Sequence, residues 1–404
     1  MKNLTLKDIQ HAQVLLKGIV NKTPTLYSPY FSRLFNAQVY LKLENLQETG
    51  SFKERGAYIK LCSIPKEILQ KGVITVSAGN HAQAVAFHAH NMKIPATVVM
   101  PLYTPPTKVG NTEKWDAKVI LAGETLDQAQ QVAEEIASKE GLSFIHPYDD
   151  IDVMAGQGTI GLEMLEAEPD LDLLLVPIGG GGLCAGVALA AKSVQPAIKV
   201  YGVEVERYAS MAQVIYGFDE TIKGGTTLAE GIAVKYPGVL PQPILKKYLE
   251  DIIVVSEEQI ERAVDLFVRK QNTVVEGAGA VGLAALLASP LKFENKKIGI
   301  VVSGGNIDAR LVTSIMMRGQ VREGRFNLLR IKIVDVPGML AQVAKIIGDG
   351  QGNILEVKHE RFLYDIPIKM AELDIMVETR NKMHIDSIIK NLEGAGFEVM
   401  IQAK

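Results

Sequence analysis

Four stretches of this chain combine residue types that do chemistry with spacings that suit it. The first is Glu44–Tyr58 (ENLQETGSFKERGAY), which sets Lys53 after Thr49, Gly50 and Ser51 and before an expected helix. Arg55 and Gly56 are expected to keep that helix start narrow and basic. Most lysines are solvated and chemically idle. One that is desolvated beside a tight turn loses its proton more readily and becomes a nucleophile and base. The second stretch is Ser77–His81 (SAGNH), after the apolar run Val73–Val76. Its glycine lets backbone approach a ligand, and the helix it opens offers free N–H groups to an anion. His81 could equally be a plain helix cap, and His88 and His90 further along are assigned no chemistry.

The third stretch, Gly179–Leu183 (GGGGL), follows the apolar run Leu173–Ile178. Successive glycines allow consecutive N–H groups to turn inward around a phosphate, with a helix dipole behind them. A rival pattern overlaps it. Gly180, Gly182 and Ala185 fit G-x-G-x-x-A, and Glu204 ends the next strand, which outlines a dinucleotide fingerprint. Four consecutive glycines downstream of the lysine loop favour a single phosphate group instead. The fourth stretch, Ser303–Asp308 (SGGNID), ends the run Ile298–Val302 and places a hydroxyl, Ser303, at a strand end. Two further glycine-containing turns are Glu230–Lys235 (EGIAVK) and Glu276–Ala280 (EGAGA).

These loops need strands and helices to aim them, and the chain supplies both in alternation. Gln38–Leu43 reads as a strand into the lysine loop. Short apolar runs at 73–76, 96–100, 118–121, 144–146, 173–177, 199–204, 252–255 and 298–302 alternate with helix-period segments such as 81–91 and 125–139. This pattern predicts right-handed crossovers and parallel sheets covered on both faces, an α/β architecture. Leu173–Ala191 has no charged side chain, but Pro177 and the glycines would break a membrane span, so a buried strand turning into a buried helix is expected. Near Arg318–Asn327 the composition shifts to a charged, glycine-containing segment that suits a linker. Beyond it, strand 328–334, helix 338–348, strands 353–359 and 370–377, helix 384–392 and strand 397–401 predict a ferredoxin-like βαββαβ sandwich.

The 404 residues suit two or three domains, and 47% hydrophobic with 22% charged content is globular. A net charge of −3 without a basic block argues against a nucleic-acid partner. Cys62 and Cys184, the only cysteines, cannot make a disulfide framework or a metal cluster. The first residues read as an amphipathic helix rather than a signal peptide, so a cytoplasmic protein without a membrane partner is expected.

The S-x-K-x-R-G-A segment around Lys53, together with the SAGNH, GGGGL and SGGN stretches in this order, closely resembles the threonine and serine dehydratase branch of the fold-type II pyridoxal-phosphate enzymes. The resemblance covers residues 1–325 as a catalytic unit of the tryptophan synthase β-like kind, with a smaller subdomain at about 48–150. Residues 326–404 resemble an ACT domain, a small-molecule sensor. The resemblance implies pyridoxal 5′-phosphate carried by Lys53 as a Schiff base, with Gly179, Gly180, Gly181, Gly182 and Leu183 at its phosphate, Asn80 at its ring hydroxyl and Ser303 at its pyridine nitrogen. It puts Ser77, Asn80 and His81 at the substrate carboxylate, the Gly231 carbonyl and Glu276 near the ring, and Glu204 near a possible cation site. A hydroxyl rather than a carboxylate at the pyridine nitrogen makes a milder electron sink and favours β-elimination over transamination. L-Threonine is then expected to yield 2-oxobutanoate and ammonia, with Lys53 as base and L-serine as secondary substrate. A serine-preferring dehydratase, releasing pyruvate and ammonia from L-serine, and a serine racemase are the neighbouring alternatives, but the racemase carries a second acid/base serine where this chain has Ala78. The resemblance also implies a homotetramer. A branched-chain amino-acid effector, isoleucine first, is expected at the turn Pro337, Gly338, Met339, with Asn353 completing it. Met339, Leu340, Val343, Ile346 and Ile347 are expected to form the buried face of that helix.

Overall fold

A computed structural model describes residues 3–218, 222, 224–361 and 366–402. The chain divides into two compact units, 1–307 and 308–404. In the first unit the strands run β1 (Thr25–Tyr27), β2 (Gln38–Leu43), β3 (Val73–Val76), β4 (Ala96–Met100), β5 (Lys118–Leu121), β6 (Ser143–Phe144), β7 (Leu173–Pro177), β8 (Lys199–Val205), β9 (Asp251–Val255) and β10 (Lys297–Val302). They form two sheets. One has the order β1-β2-β10-β7-β8-β9 and the other β5-β4-β3-β6. Every pair is parallel except β1 with β2.

Parallel pairing demands crossovers, and the helices of those crossovers cover both faces, so central strands read as unbroken apolar runs. Val73–Val76 and Leu173–Pro177 are accordingly buried at every position. The smaller sheet and its helices lie in sequence between β2 and β7, an insertion into the larger sheet. As expected, the uncharged stretch from Leu173 is β7 followed by the helix Gly182–Val194. Among the described residues no helix is long and apolar enough to cross a membrane.

Three helices set the geometry of the future site by packing without side chains between them. A methyl on Gly156, in the helix Ile151–Ala167, would meet the Arg55 carbonyl at 2.6 Å. One on Gly186 would meet the Met154 carbonyl at 2.3 Å. The helix that begins at Lys53 (Lys53–Ser63) and the helix behind the glycine run are therefore both held in backbone contact with Ile151–Ala167. Small residues at these positions let the helices approach closely, and any side chain would push them apart.

The second unit contains the helix Ala309–Arg322, then β11 (Phe326–Val334), the helix Met339–Asp349, β12 (Asn353–Glu360), β13 (Met370–Glu378), the helix Lys382–Gly394 and β14 (Glu398–Ile401). Its antiparallel sheet has the order β12-β13-β11-β14, the ferredoxin-like arrangement. Strict alternation of buried and exposed residues along β11 and β13 turns one face to the apolar core. The segment expected as a linker, Arg318–Asn327, is instead the last turn of Ala309–Arg322, a turn at Gly324 with φ +66°, and the start of β11. Its charges are shared between the end of a helix (Arg318, Arg322) and the turn after it (Glu323, Arg325), which a composition shift cannot distinguish from a linker. Val343 and Ile347 are buried in this core with Met339 and Ile346 packed against them, whereas Leu340 remains 37% exposed. At 100° per residue Leu340 falls at the edge of that stripe, off its centre.

Candidate active site

Lys53 is positioned by a staple between two loops. Ser51 pairs with Gly304 in an antiparallel bridge, the Phe52 N–H donates to the Ser303 carbonyl at 3.0 Å, and the Gly305 N–H donates to the Gly50 carbonyl at 2.9 Å. The end of β10 thus clamps the lysine loop immediately before the helix that Lys53 opens. The Lys53 ammonium donates to the Pro147 carbonyl at 2.8 Å. Burial brings its pKa down to about 8, against the opposing pull of Glu276. At neutral pH roughly a tenth of this amine is then unprotonated, where an ordinary lysine offers roughly one part in a few thousand.

Arg55 behaves otherwise than the sequence suggests. It does not make the helix start basic. Its guanidinium is fully buried and bridges two carboxylates, Glu44 (Nε–Oε2 2.8 Å) and Glu163 (Nη1–Oε1 2.7 Å), with Lys42 on Glu163 from the other side at 2.5 Å. Two cations and two anions neutralise one another two residues from Lys53, so the depressed lysine pKa owes nothing to a free arginine charge.

Asn80 opens the helix Asn80–Met92 after Gly79. Its amide Nδ2 donates to Glu276 Oε1 at 2.7 Å, and its Oδ1 accepts from Asn306 Nδ2 at 2.8 Å. Ser77 folds back to accept the Gly79 N–H at 3.1 Å. The N–H groups of Asn80, His81 and Ala82 make no backbone hydrogen bond, which leaves a cluster of donors for a carboxylate. The His81 side chain does not share this role. It is buried, its Nε2–H donates to the Ile145 carbonyl at 3.0 Å, and burial drives its pKa to about 3. A neutral imidazole that spends its one proton on a carbonyl cannot donate to a carboxylate. His81 can therefore contribute its backbone N–H only.

The glycine run is walled on all sides. A methyl on Gly179 would lie 3.0 Å from Ile232, on Gly180 2.2 Å from the Tyr148 ring, on Gly181 2.6 Å from Met211, and on Gly182 2.6 Å from the Tyr148 carbonyl. Gly181 also has φ +96°, which L side chains rarely adopt. Among the described residues none of the N–H groups from Gly179 to Cys184 makes a backbone hydrogen bond, which leaves six donors at a helix N-terminus available to an anion. Tyr148 connects the nest to the lysine, because it directly follows Pro147, the residue that holds the Lys53 amine. Gly180→Ala is expected to displace Tyr148 at an overpacking cost of about 1–3 kcal/mol. Affinity for the phosphorylated cofactor that the resemblance implies should then fall roughly tenfold or more, checked by fluorescence titration.

Glu276 and Gly231 do meet. A methyl on Gly231 would stand 3.3 Å from Glu276 Oε1, and burial raises the Glu276 pKa to about 7. Glu204 is buried near the end of β8. Its carboxylate accepts the N–H groups of Met211 (2.9 Å) and Ala212 (2.8 Å), and burial raises its pKa to about 8. It caps a short helix with one lone pair of each oxygen. No cluster of three metal-ligating side chains occurs among the described residues. Ser303 is buried at the end of β10. The Ser51 hydroxyl is buried and has no hydrogen-bond partner among the described residues. Pro147, Tyr148 and Asn306 were not legible as site residues. Asn306 alone carried a signal, as the polar residue after the Gly304–Gly305 turn.

A partly neutral lysine amine, a nest of N–H groups and a buried hydroxyl at a strand end together suit a phosphorylated aromatic aldehyde anchored through an amine. That set defines a lysine-anchored cofactor enzyme. The family described as pyridoxal-phosphate dependent enzyme matches residues 16–304, and the chain belongs to it. An L-threonine ammonia-lyase from Thermotoga maritima is 44% identical over 399 residues, spanning 98% of this chain and 99% of that one. Another from Geobacter sulfurreducens is 43% identical over 392 residues, spanning 97% and 98%. Among solved structures, maize serine racemase superposes with a TM-score of 0.74 at 33% identity over 80% of this chain and all of its own. The processed form of threonine deaminase isoform 2 from Solanum lycopersicum superposes with a TM-score of 0.74 at 32% identity, over 79% of this chain and 91% of its own.

Proposed function

We propose that this pyridoxal-phosphate enzyme deaminates L-threonine to 2-oxobutanoate and ammonia by α,β-elimination of water, with L-serine as a poorer substrate. The observation that carries this reading is the Lys53 amine, held at 2.8 Å by the Pro147 carbonyl with its pKa near 8. Near-full-length similarity to L-threonine ammonia-lyases supports the choice of substrate. Bound in this cleft, pyridoxal phosphate supplies the electron sink for the α-carbon. The nest from Gly179 to Cys184, Leu183 included, would hold its phosphate, and the Ser303 hydroxyl would serve its ring nitrogen. Asn80 would offer its ring oxygen the amide hydrogen not given to Glu276. The free N–H groups of Asn80–Ala82, with Ser77 beside them, orient the substrate carboxylate. Lys53 Nζ removes the α-proton, the task of a base poised near neutral pH. Elimination is favoured over racemisation because Ala78 offers no second proton-carrying group beside Gly79. The test is release of 2-oxobutanoate from threonine and pyruvate from serine. Inactivity on threonine, with the cofactor bound, would sink the reading.

We read the second unit as an ACT-type sensor for a branched-chain amino acid, isoleucine first, in a cytosolic homotetramer. Its support is the ferredoxin-like order and the exposed turn at Val336–Gly338, where Gly338 at φ +94° caps the helix Met339–Asp349. Asn353 opens β12, and its amide donates to Glu378 at 3.2 Å. Gly338→Ala strains a left-handed position and is expected to weaken the response of the full-length enzyme to isoleucine while its turnover without effector stays unchanged. Titrating isoleucine into both proteins at fixed threonine checks this. An unaltered response would move the effector site elsewhere.

A further inference from the structure

Asn80 and Glu276 are joined to a third side chain that no family expectation above assigns. Asn306 Nδ2 donates to two acceptors, the Thr49 carbonyl at 2.7 Å and Asn80 Oδ1 at 2.8 Å. A backbone carbonyl can only accept, so the Asn306 group facing Thr49 must be its NH2. The second hydrogen of that same nitrogen then meets Asn80, which must answer with its oxygen. With Oδ1 spent, Asn80 turns its nitrogen to Glu276 Oε1 at 2.7 Å. One backbone carbonyl thereby fixes the sense of two amides in series. An asparagine amide has two orientations of nearly equal shape and opposite polarity, and Asn306 and Glu276 select the same one from opposite ends.

We propose that Asn306 is a positioning residue that locks the Asn80 amide nitrogen-first, so that a cofactor ring oxygen beside Asn80 meets a hydrogen-bond donor rather than a carbonyl. Gly50 permits this, since a methyl there would stand 2.5 Å from Asn306 Oδ1. The inference rests on reading the Lys53 cleft as the pyridoxal-phosphate site. It separates two kinds of change. Asn306→Ala removes this anchor and leaves Glu276 Oε1 alone to hold the Asn80 nitrogen. Asn306→Asp, nearly the same shape, sets acceptors against Asn80 Oδ1 and drives the amide to reverse.

The experiment titrates pyridoxal phosphate into the cofactor-free full-length wild type, Asn306→Ala, Asn306→Asp and Asn306→Ser, reading affinity and the visible absorption maximum. Thermal melts of the cofactor-free forms are run alongside. Affinity is expected to fall in the order wild type, Ala, Asp, with Asp about tenfold below Ala, and the absorption maximum to shift furthest in Asp. Serine, which can satisfy one of the two acceptors, should fall between wild type and Ala. Equal losses in Ala and Asp, or losses that follow melting temperature with the absorption maximum unmoved, would reduce Asn306 to a structural tie and overturn the proposal. Should one variant fail to fold, the order and spectra of the remaining two against wild type decide in the same way. No binding by the wild type would instead overturn the cofactor reading on which the proposal stands, and the proposal with it.

Discussion

Lys53→Ala is expected to lower threonine turnover by about four orders of magnitude, the upper range for loss of a positioned base, while the protein still folds. The expectation is specific to the amine. Lys53 Nζ carries the anchor and the base together, and its one hydrogen-bond partner, the Pro147 carbonyl, cannot replace either. Folding should not suffer. The native pKa near 8 lies below the ordinary lysine value of 10.5, so the native state disfavours the charge at neutral pH. By linkage that penalty is present below about pH 8 and disappears as the pH rises past the unfolded value. Lys53→Ala should therefore melt no lower than wild type at pH 7 in the cofactor-free form. Keto-acid release and thermal melts together decide the matter. Retention of more than a trace of activity would remove Lys53 from the mechanism.

The second large effect falls on stability. Arg55→Ala is expected to destabilise the first unit by about 3–5 kcal/mol, because it strips one partner from a buried ionic cluster. Among the described residues Glu44 and Glu163 would be left with Lys42 as their one shared cation, its ammonium 3.8 Å from Glu44 and 2.5 Å from Glu163. The loss is a large share of a typical domain stability of about 5–15 kcal/mol. Arg55→Lys should recover only part of it, since a point charge cannot span two carboxylates and the Thr159 hydroxyl as the guanidinium fork does. The cluster also has a pH signature. Burial alone would raise the Glu44 pKa, but the Arg55 guanidinium outweighs it and holds the carboxyl below its usual range. Stability from this group is present above the ordinary carboxylate pKa and is lost as the pH falls through the depressed native value. Urea denaturation of the full chain at pH 7 and pH 4 measures both. A change under about 1 kcal/mol for Arg55→Ala at pH 7, the level of a surface pair, would show that the cluster contributes little.

The four chemistry-bearing stretches were legible because each is contiguous and built around glycines at strand ends, where backbone geometry leaves few alternatives. The alternating apolar runs exposed the parallel sheets for the same reason. The contacts between stretches were not legible. Arg55 finds Glu163 across 108 residues, Asn306 finds Asn80 across 226, and Lys53 finds the Pro147 carbonyl across 94. No local pattern encodes such pairs. His81 illustrates a subtler limit: a histidine opening a helix marks the right place, but the side chain rotates toward Ile145 and only its backbone remains at the site. The strand-end position of Glu204 was legible, but the two backbone donors that its carboxylate serves were not.

The order in which the strands are synthesised has a consequence for how this protein is born. Strand β2 emerges early, yet its parallel neighbour in the larger sheet is β10, paired from Gln38 with Lys297 to Leu43 with Val302. The smaller sheet, by contrast, is complete once Phe144 has emerged. On the ribosome the smaller sheet can therefore close while β2, apolar and flanked on one side only by β1, waits for most of the first unit to be made. Long-range parallel pairing of this kind is slow, and an unpaired apolar strand is exposed to misassociation meanwhile. Slowing translation between residues 150 and 297 should prolong that wait and increase chaperone engagement of nascent chains, whereas slowing it after residue 320 should not.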